Sequence, residues 1–158
     1  MMTVLGWRAV VVGVLSTMTM DLLSVVALRL RLTAPLTPNV MGRWFAWMAR
    51  GQMMHADIAH TAAVGHEMGI ALPIHYMIGI VLASTFLWVT SLLGWPRSFT
   101  VSLAFGVLTN LLPWLLMFPA MGYGFFGWHG PAGTRLFTSS FISHVAYGVG
   151  LWLAVRIV

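Results

Sequence analysis

The sequence predicts an all-α integral membrane protein: four transmembrane helices, with a long first connection that carries a short interfacial amphipathic helix. Three observations predict it. The 158-residue chain is 59% hydrophobic and only 7% charged, against roughly 25% charged residues in soluble domains. Its mean hydropathy is +0.90, so there is too little polar surface to cover a water-exposed globule of this size. Four apolar runs also reach the length, about 20 residues, that a helix needs to cross a hydrocarbon core. Lipid offers the backbone no hydrogen bonds, so each run is expected to be helical.

The runs span about residues 4–30, 73–94, 99–121 and 137–158, and form a single domain. The first is longer than the apolar region of a signal peptide and shows no small-residue cleavage site, so it is expected to be a retained helix. Pro73 suits the first turn of the second run. Gly94-Trp95-Pro96-Arg97 is a tight turn, which predicts that the second and third helices are antiparallel neighbours. In the third, Pro113 frees a backbone carbonyl and bends the helix, and Asn110 just before it is expected to bridge helices.

The connections differ. The prolines of TAPLTPN, residues 33–39, rule out regular helix there. Residues 39–50 interleave apolar and aromatic side chains with Arg43 and Arg50, and are expected to form a short amphipathic helix lying in the interface and ended by Gly51. A His-rich segment, 51–72, follows. The last two runs are joined by a Gly/Pro-rich loop, 122–135.

The net charge of +5 rests on eight arginines, with no lysine. They are scattered singly, so no basic stripe for nucleic acid forms. Five of them (Arg29, Arg31, Arg43, Arg50 and Arg135) flank the long-loop face, and three (Arg8, Arg97 and Arg156) flank the other. That bias favours a cytoplasmic long loop in a bacterial inner membrane. The absence of cysteine excludes disulfides and thiolate metal sites. The eight tryptophans, mostly near the ends of the runs, suit interfacial belts against the lipid bilayer.

The ionisable residues are placed on one side. Residues 51–76 hold four of the six histidines and two of the three acids. Even topology puts the end of helix one, the start of helix two, the end of helix three and the start of helix four on the long-loop side. His55, Asp57, His60, His66 and Glu67 belong to that loop, and His129 belongs to the 122–135 loop. His75 lies just inside helix two. His144 and Asp21 lie about 10 and 12 Å deep, at 1.5 Å per residue. A carboxylate within a span costs roughly 2.5 to 3.5 kcal/mol on insertion scales and is usually functional or paired. Asp21, Glu67, His75 and His144 are therefore the candidate polar cluster, and His75, His144 and Glu67 are its candidate metal ligands. His55, Asp57, His60, His66 and His129 are secondary candidates, with the loop histidines expected to be solvated. Imidazole with carboxylate suits a transition metal such as Zn, Fe, Ni or Mn, and two histidines also suit haem. HEMGIALPIH carries no histidine at i+4 from His66, so it is not a zincin motif.

Taken in order, MDLLSVVALRL, TPNVMGRWFAWMARGQ, the H-x-D-I of residues 55–58, HEMGIALPIHYMIG, MGYGFFG and SHVAYGVGLWLA resemble a widespread bacterial inner-membrane family known only as a domain of unknown function. The resemblance covers nearly the whole chain and implies a four-helix inner-membrane protein. Its polar pattern falls on Asp21, Asn39, Arg43, Glu67, His75, Arg135 and His144. GWHGPAG, before Arg135, is less polar than that pattern. The resemblance supplies no reaction.

Two functions follow as expectations. The first is a site protein whose one-sided His/Asp/Glu cluster binds a transition metal or haem, or relays protons with a small solute. The second is an accessory or assembly subunit of a larger membrane complex, or a homo-oligomer, in which the cluster only ties helices together. Catalysis is less favoured: His and carboxylate supply general acid and base, but there is no nucleophile motif, and GYGFFGWHG is too aromatic to cradle phosphate.

Overall fold

The computed structural model describes residues 2–34 and 38–158, and side chains from residue 6 onward. Among the described residues the chain is helical, with no strand. The helices are α1 (Met2–Arg29), α2 (Pro38–Met48), α3 (Glu67–Leu92), α4 (Phe99–Ala120) and α5 (Thr134–Ile157). Four of them, all except α2, are long and apolar enough to cross a membrane, and they suggest a multi-pass membrane protein. Pro35 lies outside the described residues, and Pro38 opens α2, where its missing N–H leaves no bond unmade.

The long helices do not pack in chain order. α1 lies between α3 and α5, and α4 packs along α5. The expectation that α3 and α4 are neighbours is corrected. Gly94, at φ +64°, turns the chain tightly, but beyond the turn the two helices share little contact, one point of it being the rings of Phe86 and Phe105, 5.2 Å apart. The pairings follow where small residues oppose each other. A Cβ on Gly13 would stand 2.5 Å from the Ile80 Cα, and one on Gly150 would stand 2.7 Å from the Ser16 Cα. A Cβ on Gly106 would lie 2.7 Å from the Gly148 Cα. Without side chains at these crossings the backbones approach closely, which is the main source of packing energy between helices in lipid. Buried hydroxyls turn inward on their own helices: Ser16 donates to the Val12 carbonyl at 2.6 Å and Thr17 to that of Gly13 at 2.8 Å.

Two helix details depart from the sequence reading. α3 begins at Glu67, six residues before the expected Pro73, which sits in the second turn instead. A proline there leaves the Gly69 carbonyl without its helical donor, a loss confined to the end of the helix. α4 is α-helical over Phe99–Thr109 and passes through a π-turn at Pro113–Met117. The Phe118 N–H reaches the Pro113 carbonyl there, the i→i+5 bond of a π-turn.

The long-loop end carries a second core. Trp44 of α2, Ile58, Phe118, Met121, Tyr123 and Leu136 are buried together. α2 does not merely lie alongside the bundle: Gly42 meets the Glu67 carbonyl and the Ala71 amide, so α2 seats against the first turns of α3. Residues 51–66 fold between α2 and the end of α4, where the His55 and Ile58 amides donate to the carbonyls of Ala120 (2.8 Å) and Met121 (3.0 Å).

Candidate functional site

Asp21 lies eight residues before the end of α1, and His75 lies eight residues after the start of α3. The helices run antiparallel, so the two residues reach the same depth. Asp21 Oδ1 stands 3.0 Å from His75 Nε2, and the Tyr76 hydroxyl donates to Asp21 Oδ2 at 3.1 Å. An ionised Asp21 offers only acceptors, so it fixes the proton of a neutral His75 on Nε2. The His75 side chain is 23% exposed and that of Asp21 is 42% exposed, so this dyad opens to one side of the bundle.

His144, on α5, faces α4. Its Nδ1 is 2.8 Å from the Thr109 hydroxyl, which itself lies 2.6 Å from the Gly106 carbonyl. Thr109 has one hydroxyl proton and gives it to Gly106, so His144 donates from Nδ1–H and its Nε2 lone pair has no protein partner among the described residues. One turn on, the Tyr147 hydroxyl donates to the Gly79 carbonyl at 2.6 Å and ties α5 to α3. The Ser24 and Ser143 hydroxyls, 2.9 Å apart, tie α1 to α5.

Glu67 does not join this group, which corrects the expectation that it would share a site with His75 and His144. Its carboxylate is engaged by Arg43 through Nε–Oε1 at 2.7 Å and Nη2–Oε2 at 3.3 Å, a two-point grip. Arg43 Nη1 donates to the carbonyls of Ile58 (3.3 Å), Ala59 (2.9 Å) and Thr61 (3.1 Å), and the Val64 amide donates to Glu67 Oε1 at 2.9 Å. The pair therefore clamps the His-rich loop onto α2 and α3. The hydrogen bond to Glu67 holds the Arg43 guanidinium above its ordinary pKa, against the opposing effect of burial. Among the described residues no three His, Asp or Glu side chains gather as a metal-binding group.

The secondary candidates divide as well. His55 is not a solvated loop residue: it is 7% exposed, with Nε2–H donating to the Gln52 carbonyl at 3.2 Å. Its burial follows from the main-chain docking of residues 55–58 onto the end of α4. His60 is open to solvent and lies 2.6 Å from Asp57 through Nδ1. The hydrogen bond from His60, then the one from the Ala59 amide, holds Asp57 below its ordinary pKa. His66 is exposed and left-handed, at φ 61°, where the chain turns into α3. His129 is exposed and packs its ring over Gly124. Among the polar-pattern residues, Asn39 and Arg135 are exposed.

A model of the family described as Protein of unknown function (DUF2938) matches residues 10–158. The chain belongs to that family. No curated protein and no solved structure matches the chain. The DUF2938 match takes in Asp21, His75, Tyr76, Thr109 and His144 together, so the dyad and its neighbours lie inside the family's own domain. Of these, sequence reading missed Tyr76 and Thr109. Tyr76 adjoins His75 and shares its helix end, which was the available signal. Thr109 had none, because its role depends on α4 packing against α5.

Proposed function

We propose that this is a small polytopic membrane protein that relays protons through the Asp21–His75 dyad in concert with a small solute. One observation carries the reading: a carboxylate 3.0 Å from an imidazole nitrogen inside a candidate span, open on one side. With Asp21 ionised and His75 neutral, the dyad carries one negative charge in apolar surroundings, where charge is costly. Taking up one proton, on either residue, makes the pair neutral overall. Releasing it restores the charge, which a cationic solute offsets equally well. The Nε2 of His144 is a further acceptor within the same bundle. The grip of Arg43 on Glu67 supports this reading over metal or haem ligation, because it takes the carboxylate out of the set of candidate ligands.

The test uses proteoliposomes with a pH-sensitive dye inside and an imposed potential. Wild type should pass protons, while Asp21→Asn and His75→Gln variants of unchanged fold should not. Equal flux in wild type and both variants would sink the proposal. The arginine distribution supports a bacterial inner membrane with the long loop in the cytoplasm.

A second reading draws on the 42% exposure of the Asp21 side chain. A half-covered carboxylate on a lipid-facing bundle suits a partner helix, as in an accessory subunit. Its test is co-purification from mild detergent, where a stoichiometric partner lost in Asp21→Leu would favour it and a monodisperse single chain would count against it.

A further inference from the structure

The short-turn end of the bundle holds arginines and no acidic side chain, since all three acids, Asp21, Asp57 and Glu67, lie in the other half. A cleft of about 210 Å³ opens there, lined by Arg8, Leu87, Ser91 and Arg97. Arg97 is held in place by the end of α3: its Nε donates to the Thr90 hydroxyl at 3.1 Å, and its Nη2 lies 3.4 Å from the Leu87 carbonyl and 3.5 Å from the Ser91 hydroxyl. That leaves Nη1 without a protein partner among the described residues. Arg8, on α1, is exposed. Among the described residues no carboxylate pairs with either arginine. Two guanidinium groups across one cleft repel each other and have no side-chain carboxylate beside them, while Val158 lines an adjoining hollow with both arginines, and the planar donor fork of arginine matches phosphate oxygens. The cleft opens at the level of exposed tryptophans, with Trp7 52%, Trp88 62% and Trp95 54% exposed. Tryptophan at such a position marks the headgroup layer of a bilayer, where phosphate is the abundant anion.

We propose that the Arg8–Arg97 cleft is a binding site for a phosphate-bearing anion, with Ser91 as an additional hydroxyl donor. The site is independent of the Asp21–His75 dyad, which lies at the other end of the bundle. A phospholipid headgroup and free phosphate share this chemistry, and the experiment separates them. Full-length protein in detergent is titrated with phosphatidylglycerol and read by native mass spectrometry, and separately titrated with inorganic phosphate by calorimetry. Phosphatidylglycerol retained by wild type and at least tenfold more weakly by Arg8→Gln supports a headgroup site. Inorganic phosphate bound by wild type and lost in Arg8→Gln, with no lipid retained, supports the same site with a soluble source. Arg8 makes no ion pair that folding depends on, so this variant should elute and melt as wild type does. Arg8→Lys should recover part of the binding, and Arg156→Gln, outside the cleft on the same face, should leave it unchanged. Neither probe binding wild type, or equal binding by wild type and Arg8→Gln, overturns the proposal.

Discussion

Asp21 and His75 meet across α1 and α3 with 3.0 Å between carboxylate oxygen and imidazole nitrogen, and the Tyr76 hydroxyl takes the other oxygen at 3.1 Å. Two side chains of α3 thereby fix the position of one carboxylate on α1. Asn is isosteric with Asp and keeps an oxygen for Tyr76, and an imidazole that carries its proton on Nδ1 can accept from the Asn amide nitrogen through Nε2. Asp21→Asn should therefore change stability by no more than about 1 kcal/mol, the net worth of a typical hydrogen bond, while proton flux is lost. Thermal unfolding in detergent beside dye-reported flux checks both halves. A large drop in Tm would mean that the carboxylate holds the helices together rather than serving the proton.

The Arg43–Glu67 clamp behaves differently. Their side chains are 14% and 9% exposed, so removing one partner leaves the other charge with little solvent. Breaking a pair that is only partly buried costs more than the roughly 1 kcal/mol of an exposed bridge and less than the about 3–5 kcal/mol of a fully buried one. Arg43→Ala should lower stability on that scale and release the carbonyls of Ile58, Ala59 and Thr61, which hydrogen exchange over residues 55–66 would report as lost protection. Replacing both, Arg43→Met with Glu67→Leu, should recover much of the loss, because apolar pairs of similar volume substitute well for buried ion pairs. A double variant no better than Arg43→Ala would show that the carbonyl contacts, not the ion pair, hold the loop.

The four spans were legible because length and hydropathy decide them locally, and their register follows from antiparallel helices of matched length. The grouping of Asp21 and His75 on one side of the membrane was read from the sequence, but their equal depth was not: His75 was placed just inside its helix, and α3 starts six residues earlier than expected, which sets His75 eight residues in, level with Asp21. Glu67 was misplaced because it lies on the same side of the membrane as His75 and His144, whereas its partner Arg43 is 24 residues away on a helix that seats through Gly42. The order of packing was illegible too. A tight turn at Gly94 fixes adjacency in the chain, but the crossings are set where a glycine meets another helix's backbone, at Gly13 against Ile80, Gly150 against Ser16 and Gly106 against Gly148. His55 shows the same limit, since its burial depends on main-chain bonds to Ala120 that no side-chain pattern announces.

The exposed pair Asp57 and His60 gives the loop a pH dependence of definite sign. Asp57 has a folded pKa below its ordinary value, through the hydrogen bonds from His60 and the Ala59 amide. Its contribution to loop stability is therefore present above the unfolded pKa and lost as pH falls through the folded one. With 43% of its side chain exposed, the effect is local and weakened by solvent. Amides of residues 57–61 should lose protection in acid below the ordinary carboxylate range, and Asp57→Asn should flatten that dependence. Unchanged acid sensitivity in Asp57→Asn would assign it to another group.

Because Glu67 is engaged by Arg43, and no three ligating side chains gather among the described residues, the protein should purify without a stoichiometric transition metal. Elemental analysis and an absorption spectrum of detergent-purified protein, grown with metal supplied, check this directly. Chelator treatment should leave Tm and proton flux unchanged. A stoichiometric metal or a haem band, lost in a His75→Gln/His144→Gln variant, would instead establish a ligand site and displace the proton reading.

The crossing of α4 and α5 sets the last expectation. A Cβ at Gly106 would fall 2.6 Å from the His144 carbonyl oxygen and 2.7 Å from both the Cα and the amide nitrogen of Gly148. These are backbone atoms, so no flexible side chain can swing aside, and the helices must part. Overpacking of this kind costs about 1–3 kcal/mol. Separation here also strains the nearby contact between Thr109 and His144, 2.8 Å long, which holds the His144 proton on Nδ1. Gly106→Ala should therefore lower Tm and also change the imidazole tautomer balance, read from nitrogen shifts in His-labelled protein. Thr109→Val removes the hydroxyl without touching the crossing and should shift the tautomer with less effect on Tm. If Gly106→Ala lowers Tm while the tautomer stays as in wild type, the close crossing serves packing alone and His144 is positioned by something else.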